Sequence, residues 1–127
     1  MNRDTVASLP LSNLLPASAG LSPEGHLTLG GIDALELTRE FGTPLYVYDA
    51  QTVREQAAAY RGAFESAYPD SVVVYGAKAF INRPFARLIA DQGLAFDAVS
   101  GGEIEVMRAA GVDMASVYFH GNNKGAD

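Results

Sequence analysis

The fold is decided by residues 72–80, which read VVVYGAKAF. Their first half, Val72 to Tyr75, is a continuous β-branched and aromatic run of the kind that a parallel sheet buries on both faces. Two similar runs, Leu94 to Phe96 and Val117 to Phe119, follow at intervals of about 22 residues, a spacing typical of strands that alternate with helices. The pattern predicts an α/β protein with repeated parallel βα units, either part of a βα barrel or part of a doubly wound sheet.

The intervals between these strands carry signals for the start and the end of a helix. Asn82 and Pro84 suit the first turn of a helix that ends by Gly93. In the second interval, residues 100–103 read SGGE, a Ser-x-x-Glu capping box that starts a helix ending at Gly111. We therefore interpret this serine and this glutamate as helix-capping residues and assign them no catalytic role.

The first half of the sequence predicts other elements ahead of these units. Asp33 can cap a short helix that Gly42 ends, and residues 53–67 repeat apolar side chains at helical spacing. Leu45 to Tyr48 is β-branched and aromatic and reads as a strand. Residues 1–30 are interpreted as an N-terminal arm, which is extended and rich in Pro and Ser up to about residue 24.

Composition excludes several classes of function. The 127 residues carry a formal net charge of −6, which argues against binding to a phosphate backbone without sequence preference. The chain has no cysteine and two histidines, so neither disulfides nor a structural zinc site are expected, and we predict no metal. No stretch has the length of a membrane span, and Asp4, Pro10 and Pro16 argue against a signal peptide. We expect a cytoplasmic protein that binds neither nucleic acid nor membranes.

The length of the chain limits what it can form by itself. An eight-stranded βα barrel takes about 250 residues, and three parallel strands are too few to close a barrel or to complete a doubly wound sheet. The sequence also stops in a loop after the third predicted strand. We therefore expect the N-terminal part of a longer protein, which carries residues for chemistry that it does not perform alone.

Candidate reactive residues follow the carboxyl ends of the three predicted strands, the edge on which α/β proteins place their sites. They are Lys78 after the first strand, Asp97 after the second, and His120 and Asn122 after the third. The sequence contains no phosphate-binding P-loop, no dinucleotide fingerprint and no Gly-x-Ser-x-Gly elbow. The edge thus carries polar groups without a common nucleotide or hydrolase signature.

Lys78 stands between small and apolar neighbours, Tyr75-Gly76-Ala77 before it and Ala79-Phe80 after it. An ammonium group that is partly removed from water loses its proton more easily, and the free amine is the nucleophile that forms a Schiff base with a carbonyl compound. The alternative is a strand-end lysine whose stem lies on apolar surface while its charge stays in water.

Four segments together resemble one family of enzymes. They are FGTPLYVYD (41–49), VVVYGAKAF (72–80), FDAVSGGEI (96–104) and FHGNNKG (119–125). From residue 30 onward the chain resembles the fold-type III pyridoxal-phosphate decarboxylases, and most of all the diaminopimelate decarboxylase family. The lysine segment is shared across the fold type, whereas HGNNK favours this family over the ornithine and arginine decarboxylases.

The resemblance implies pyridoxal 5'-phosphate as the cofactor and the conversion of meso-diaminopimelate to L-lysine and carbon dioxide. Lys78 would hold the cofactor as a Schiff base, and Asp97 would lie near Lys78 and maintain its protonation and orientation. His120 and Asn122 would line the cofactor pocket. Structural alternatives stay open for these three: a turn or helix cap for Asp97, a hydrogen-bonded strand-end group for His120, and turn formation for Asn122.

The resemblance also implies an architecture, a partial (β/α)8 barrel of the TIM type that comprises the first three βα units. Residues 1–30 would be the arm, 31–49 a short helix and a strand of a second, β-rich domain, and 50–127 the first part of the cofactor-binding barrel. The full-length enzyme would be a homodimer that acts on a small amino acid, with further site residues beyond Asp127. The alternatives are another fold-type III decarboxylase or racemase, and a non-catalytic protein that binds pyridoxal phosphate.

Overall fold

The computed structural model describes residues 12–121 and 124–125. The chain divides into two compact units, Met1–Val53 and Arg54–Asp127. The helices are α1 (Ala34–Phe41), α2 (Ala50–Ala67), α3 (Arg83–Ala90) and α4 (Gly101–Ala109). The strands are β1 (Gly20–Leu21), β2 (Leu27–Leu29), β3 (Ile32–Asp33), β4 (Val74–Gly76), β5 (Ala95–Ala98) and β6 (Val117–Phe119). Within the described residues, no helix combines the length and the apolar character that crossing a membrane requires.

The first unit contains a small antiparallel sheet with the strand order β1-β2-β3. Leu29 of β2 pairs with Ile32 of β3 across a two-residue turn. Both turn residues, Gly30 and Gly31, have positive φ angles, +59° and +83°, which suit the turns that join tight hairpins. The arm predicted as extended up to about residue 24 instead enters this sheet at β1, because a turn with Gly25 at a φ of +84° joins β1 to β2.

α1 begins and ends where the sequence predicts. The Asp33 carboxylate accepts a hydrogen bond from the Leu35 amide at 2.7 Å, and Gly42 follows the helix with a φ of +79°. The strand predicted for Leu45 to Tyr48 is not formed among the described residues, and its place in a second, β-rich domain stays a prediction. A strand requires the backbone of a neighbouring strand, and no described segment pairs with this one. Its apolar side chains are exposed, and Tyr46 is 89% exposed.

α2 confirms the helix predicted over residues 53–67. Its apolar stripe is less buried than the helical periodicity indicates, because Ala57 is buried whereas Tyr60 and Phe64 are exposed. Periodicity predicts which side chains share a face of a helix, but burial of that face depends on what packs against it.

The second unit contains the predicted parallel sheet, with the strand order β4-β5-β6. Its strands begin at residues 74, 95 and 117, which confirms the spacing predicted from the sequence, although β4 starts at Val74 rather than at Val72. One register row crosses all three strands: Gly76 pairs with Asp97, and Asp97 pairs with Tyr118. This row lies at the carboxyl end of the sheet, where the candidate site residues follow.

The core of this unit lies between the sheet and the helices α3 and α4. Phe96 of β5 is fully buried, and the ring of Tyr75 lies 6.4 Å from it and 5.6 Å from the ring of Phe85 on α3. Met107 of α4 is also fully buried. Because side chains alternate along a strand, the register row faces away from this core.

Side-chain caps start both helices of this unit. The Asn82 side chain accepts a hydrogen bond from the Phe85 amide at 2.9 Å, and the Ser100 hydroxyl accepts one from the Glu103 amide at 3.3 Å. One bond differs from the expected capping box, since the Glu103 carboxylate accepts from the amide of Val99, at 2.7 Å, instead of from that of Ser100. The interpretation of Ser100 and Glu103 as helix-capping residues is confirmed.

Two arginines each donate a hydrogen bond from one helix to the backbone just after the end of the next helix in the chain. Arg61 of α2 donates a hydrogen bond to the carbonyl of Gln92 at 2.5 Å, and Arg87 of α3 donates one to the carbonyl of Ala110 at 3.0 Å. Each of these carbonyls directly precedes a glycine with a positive φ angle, +73° in the first case and +75° in the second. The same contact thus recurs in successive βα units.

Candidate active site

The carboxyl edge of the parallel sheet opens into a groove of ≈ 560 Å³. Its lining comes from all three strands and from the residue after β6, and it comprises Val74, Gly76, Asp97, Tyr118, Phe119 and His120. The register row of Gly76, Asp97 and Tyr118 forms part of this lining. The structure therefore brings the candidates Asp97 and His120 together, at the edge where α/β proteins bind their ligands.

Lys78 lies in a 3-10 turn, Ala77–Ala79, which follows β4 directly and begins one residue after the groove residue Gly76. Ala77 is 1% exposed, whereas Lys78 is exposed to solvent. The ring of Phe80 packs edge-on against that of Phe85, 5.3 Å away. Ala77 thus faces the core, whereas Lys78 and Ala79 are exposed, so the expectation of a partly desolvated ammonium is not met by the described residues.

Asp97 and His120 form a loose pair at the groove. Nδ1 of His120 lies 4.0 Å from Oδ1 of Asp97, and the two side chains are 80% and 39% exposed respectively. The His120 amide donates a hydrogen bond to the Ala98 carbonyl at 2.8 Å, so the backbone of His120 continues the ladder between β5 and β6. A pair this exposed and 4.0 Å apart adds little to stability. Both side chains therefore remain accessible to a ligand.

Tyr118 lines the groove, although it was not among the site residues predicted from the sequence. It pairs with Asp97 on the neighbouring strand and precedes by two residues His120, whose backbone continues the line of β6. Residues two apart on a strand share a face, so this alternation was the signal from which Tyr118 could have been found.

The loop after β6 is described only in part. Asn122, a candidate from the sequence, lies outside the described residues, and its role stays a prediction. The ammonium nitrogen of Lys124 lies 5.3 Å from the centroid of the Phe119 ring, which is within the range of a cation–π contact. That contact engages Lys124, the one other lysine of the chain besides Lys78.

The groups at this edge suit a cofactor that carries an aldehyde and a polar ring. Lys78 offers an exposed primary amine, which can condense with an aldehyde. Asp97 and His120 offer a carboxylate and an imidazole within one groove, and the position above Gly76 is open, since a Cβ there would meet nothing within 4 Å. The residues present therefore fit such a group in both chemistry and space.

A comparison with protein families agrees with this arrangement. The model of the family described as pyridoxal-dependent decarboxylase, pyridoxal binding domain, matches residues 50–127. The matched range contains Lys78 and every residue that lines the groove.

Several known proteins are similar to the chain. The diaminopimelate decarboxylase of Bacillus subtilis is 47% identical over 100 residues, which are 79% of this chain and 23% of that protein. That of Synechocystis sp. is 40% identical over 124 residues, or 91% of this chain and 26% of that protein. The crystal structure of diaminopimelate decarboxylase from M. jannaschii in co-complex with L-lysine matches with a TM-score of 0.73 and 30% identity, over 86% of this chain and 26% of that one. The chain spans about a quarter of the length of these proteins.

Proposed function

The chain belongs to the pyridoxal-dependent decarboxylases, in the region of their pyridoxal-binding domain, and we propose that the intact protein converts meso-diaminopimelate to L-lysine and carbon dioxide. The α/β fold, with its parallel sheet, is the start of a βα barrel. The observation that carries the proposal is Lys78, an exposed amine on a short turn at the carboxyl end of the first parallel strand. The similar proteins from B. subtilis and Synechocystis carry the name of this activity, which supports the choice of substrate.

We assign covalent binding of pyridoxal 5'-phosphate to the amine of Lys78. Bound there, the cofactor would supply an electron sink for the electron pair that remains when carbon dioxide leaves the substrate. The exposure of the Lys78 side chain supports this assignment, because the amine must reach both the cofactor and the incoming amino acid.

We assign to Asp97 the task of maintaining the protonation and the orientation of the Lys78 amine. Two observations support it: Asp97 faces the groove, and it pairs in register with Gly76, two residues before Lys78. A carboxylate in this position favours the charged form of a nearby amine. The alternative is that Asp97 serves His120, whose ring lies 4.0 Å away.

His120 would contact the cofactor from the far side of the groove, and Asn122 would add a hydrogen-bonding group from the following loop. The exposed ring of His120 on a fixed backbone supports its part of this proposal, since the ring can meet a ligand without a change in the strand.

The intact protein is proposed to act as a homodimer whose second domain is rich in β structure, with residues 1–30 as its N-terminal segment, 31–49 as a contribution to that domain and 50–127 as the first part of the barrel. The 127-residue chain alone is proposed to be inactive and unable to fold as a stable monomer. Exposed apolar side chains on and beside the sheet, such as Val74, Tyr118 and Phe119, support this, because parallel sheets are covered on both faces.

The proposal is tested by assaying the intact protein, with added pyridoxal phosphate, for carbon dioxide release from meso-diaminopimelate, ornithine and arginine. Turnover of meso-diaminopimelate, lost in both Lys78→Ala and Lys78→Arg, is the expected result, because a guanidinium stays protonated and cannot replace the amine. Arg108→Ala is the matched control, since it removes an exposed cation whose described partner, Glu105, lies on the same helix, α4. Turnover of ornithine or arginine instead of meso-diaminopimelate would contradict the proposed substrate. Cofactor binding without carbon dioxide release from any of the three amino acids would indicate a non-catalytic protein.

A further inference from the structure

The turn that carries Lys78 is closed by a hydrogen bond from the preceding strand. The hydroxyl of Tyr75 donates to the backbone carbonyl of Phe80 at 2.9 Å. This bond spans Gly76 to Ala79 and therefore encloses Lys78. It joins the strand before the turn to the segment after it, and neither partner belongs to the turn itself.

The donor in this bond is held in place by its ring. The ring of Tyr75 lies 5.6 Å from that of Phe85 and 6.4 Å from that of Phe96, with an edge-on angle of 84° to the latter. Phe96 is fully buried in the middle strand of the sheet, and the Phe80 ring packs edge-on against the Phe85 ring at 5.3 Å. Contacts with the rings of Phe85 and Phe96 thus restrict the direction in which the Tyr75 hydroxyl points.

The backbone on the near side of Lys78 is fixed as well. Gly76 pairs with Asp97 in the parallel sheet, and Ala77 is 1% exposed. The turn is therefore anchored at Gly76 by the sheet, at Ala77 by burial and at Phe80 by the Tyr75 hydroxyl. Lys78 is exposed between these anchors, so its backbone is fixed while its side chain extends into solvent.

We propose that Tyr75 is a positioning residue for Lys78, because its hydroxyl, acting through the Phe80 carbonyl, fixes the place from which the lysine amine reaches the cofactor. The inference rests on the proposed function of Lys78. The Tyr75 hydroxyl does not take part in the chemistry. Its effect is to narrow the range of positions that the amine samples, and a reacting group held in place reacts faster than one that must find its position.

Tyr75→Phe in the intact protein separates this role from that of a simple core residue. The variant keeps the ring and its contacts with Phe85 and Phe96 but leaves the Phe80 carbonyl without the phenol donor. Tyr60→Phe is the matched control, since Tyr60 is 61% exposed on α2 of the same unit. A core role alone would lower the melting temperature without changing the behaviour of Lys78 in the folded protein.

The first measurement is hydrogen exchange of the cofactor-free protein. In Tyr75→Phe, we expect the amides of residues 78–80 to exchange about two- to tenfold faster, the factor that corresponds to about 0.5–1.5 kcal/mol for one hydrogen bond. Exchange in β5 and α3 should stay as in the wild type, and Tyr60→Phe should show no change in either region. Unchanged exchange at residues 78–80 in Tyr75→Phe would overturn the inference.

The second measurement is the affinity of Lys78 for pyridoxal phosphate, read from the absorbance of the bound cofactor and its pH profile. We expect Tyr75→Phe to weaken binding by about the same two- to tenfold factor and Tyr60→Phe to leave it unchanged. Faster exchange with wild-type affinity and pH profile would overturn the inference, because the turn would then be loosened without consequence for the amine. Failure of all three proteins, wild type included, to bind the cofactor at Lys78 would instead contradict the proposed function.

Discussion

Nη1 of Arg87 lies 2.9 Å from the position that a Cβ at Gly111 would occupy. The arginine reaches this place because it donates a hydrogen bond to the carbonyl of Ala110, directly before the glycine. Arg61 and Gly93 repeat the relationship one βα unit earlier, with a distance of 2.7 Å. The glycine that ends each helix thus leaves room for an arginine from the helix before it, which links the outer helices in chain order.

Gly111→Ala should destabilise the intact protein by about 1–2 kcal/mol, because a left-handed backbone disfavours a side chain and the added methyl group displaces Arg87. Gly62→Ala is the matched control. Gly62 lies within α2, where a Cβ meets nothing within 4 Å, so the same change should be neutral or stabilise the helix by about 0.5–1 kcal/mol. Denaturant unfolding gives both values, and equal effects at the two sites would refute the account of the helix ends.

Ser100→Ala should cost about 0.5–2 kcal/mol of stability, the usual cost of removing an N-cap. Its hydroxyl accepts the hydrogen bond of the Glu103 amide at the start of α4. Turnover per folded molecule should stay within a few-fold of the wild type, since the serine is structural. A loss of about a hundredfold in turnover at wild-type stability would instead make Ser100 part of the active site.

Asp97→Asn should lower turnover by about ten- to a hundredfold. This loss lies at or below the lower end of the rate contribution that a general acid or base makes. His120→Gln should lower it less, if Asp97 acts on Lys78 and not mainly on the His120 ring 4.0 Å away. Steady-state kinetics of the two variants of the intact protein decide between these roles. Equal losses of turnover in both variants would indicate that Asp97 acts mainly on the His120 ring instead of on Lys78.

Because of Asp49, the free energy of unfolding should fall as the pH becomes acidic. Burial raises the pKa of its carboxyl group, but hydrogen bonds donated by Ser18, by the Thr52 hydroxyl and by the Gln51 amide outweigh burial and hold the pKa below its ordinary value. A carboxyl group with a lowered folded-state pKa stabilises the fold fully above its unfolded pKa of about 3.9 and loses this contribution as the pH falls through the folded value.

Unfolding of the wild type and of Asp49→Asn, followed by denaturant titration from neutral to acidic pH, tests this dependence. The free-energy difference between them should be constant near neutral pH and should shrink below about pH 4. Ser18→Ala, which removes one donor, should show a smaller acid-dependent loss than the wild type. A difference between wild type and Asp49→Asn that does not change with pH would contradict the assignment.

Local features could be predicted from the sequence because both partners of each contact are close in the chain. Asn82 and Ser100 each cap a helix through an amide three residues ahead, so the residue pattern contains the whole interaction. The spacing of the parallel strands was predictable for the same reason, since each strand and the helix after it form one continuous segment.

Features that depend on distant packing could not be predicted in this way. Leu45 to Tyr48 has the composition of a strand, but a strand also needs a partner, and none is present among the described residues. Lys78 was correctly placed at a strand end, whereas its exposure follows from the burial of Ala77 and the packing of Phe80. The hydrogen bond from Tyr75 ends on a backbone carbonyl, a group that every residue has and that leaves no signature in a sequence.

The most direct test of the account is to locate the cofactor bond by chemical reduction. The intact protein is incubated with pyridoxal phosphate, treated with borohydride, digested and analysed by peptide mass mapping. We expect the reduced label on Lys78 in the wild type and no label at this position in Lys78→Ala. A label on Lys124 or on any other lysine, with Lys78 unmodified, would contradict the assignment of Lys78 as the cofactor-binding lysine.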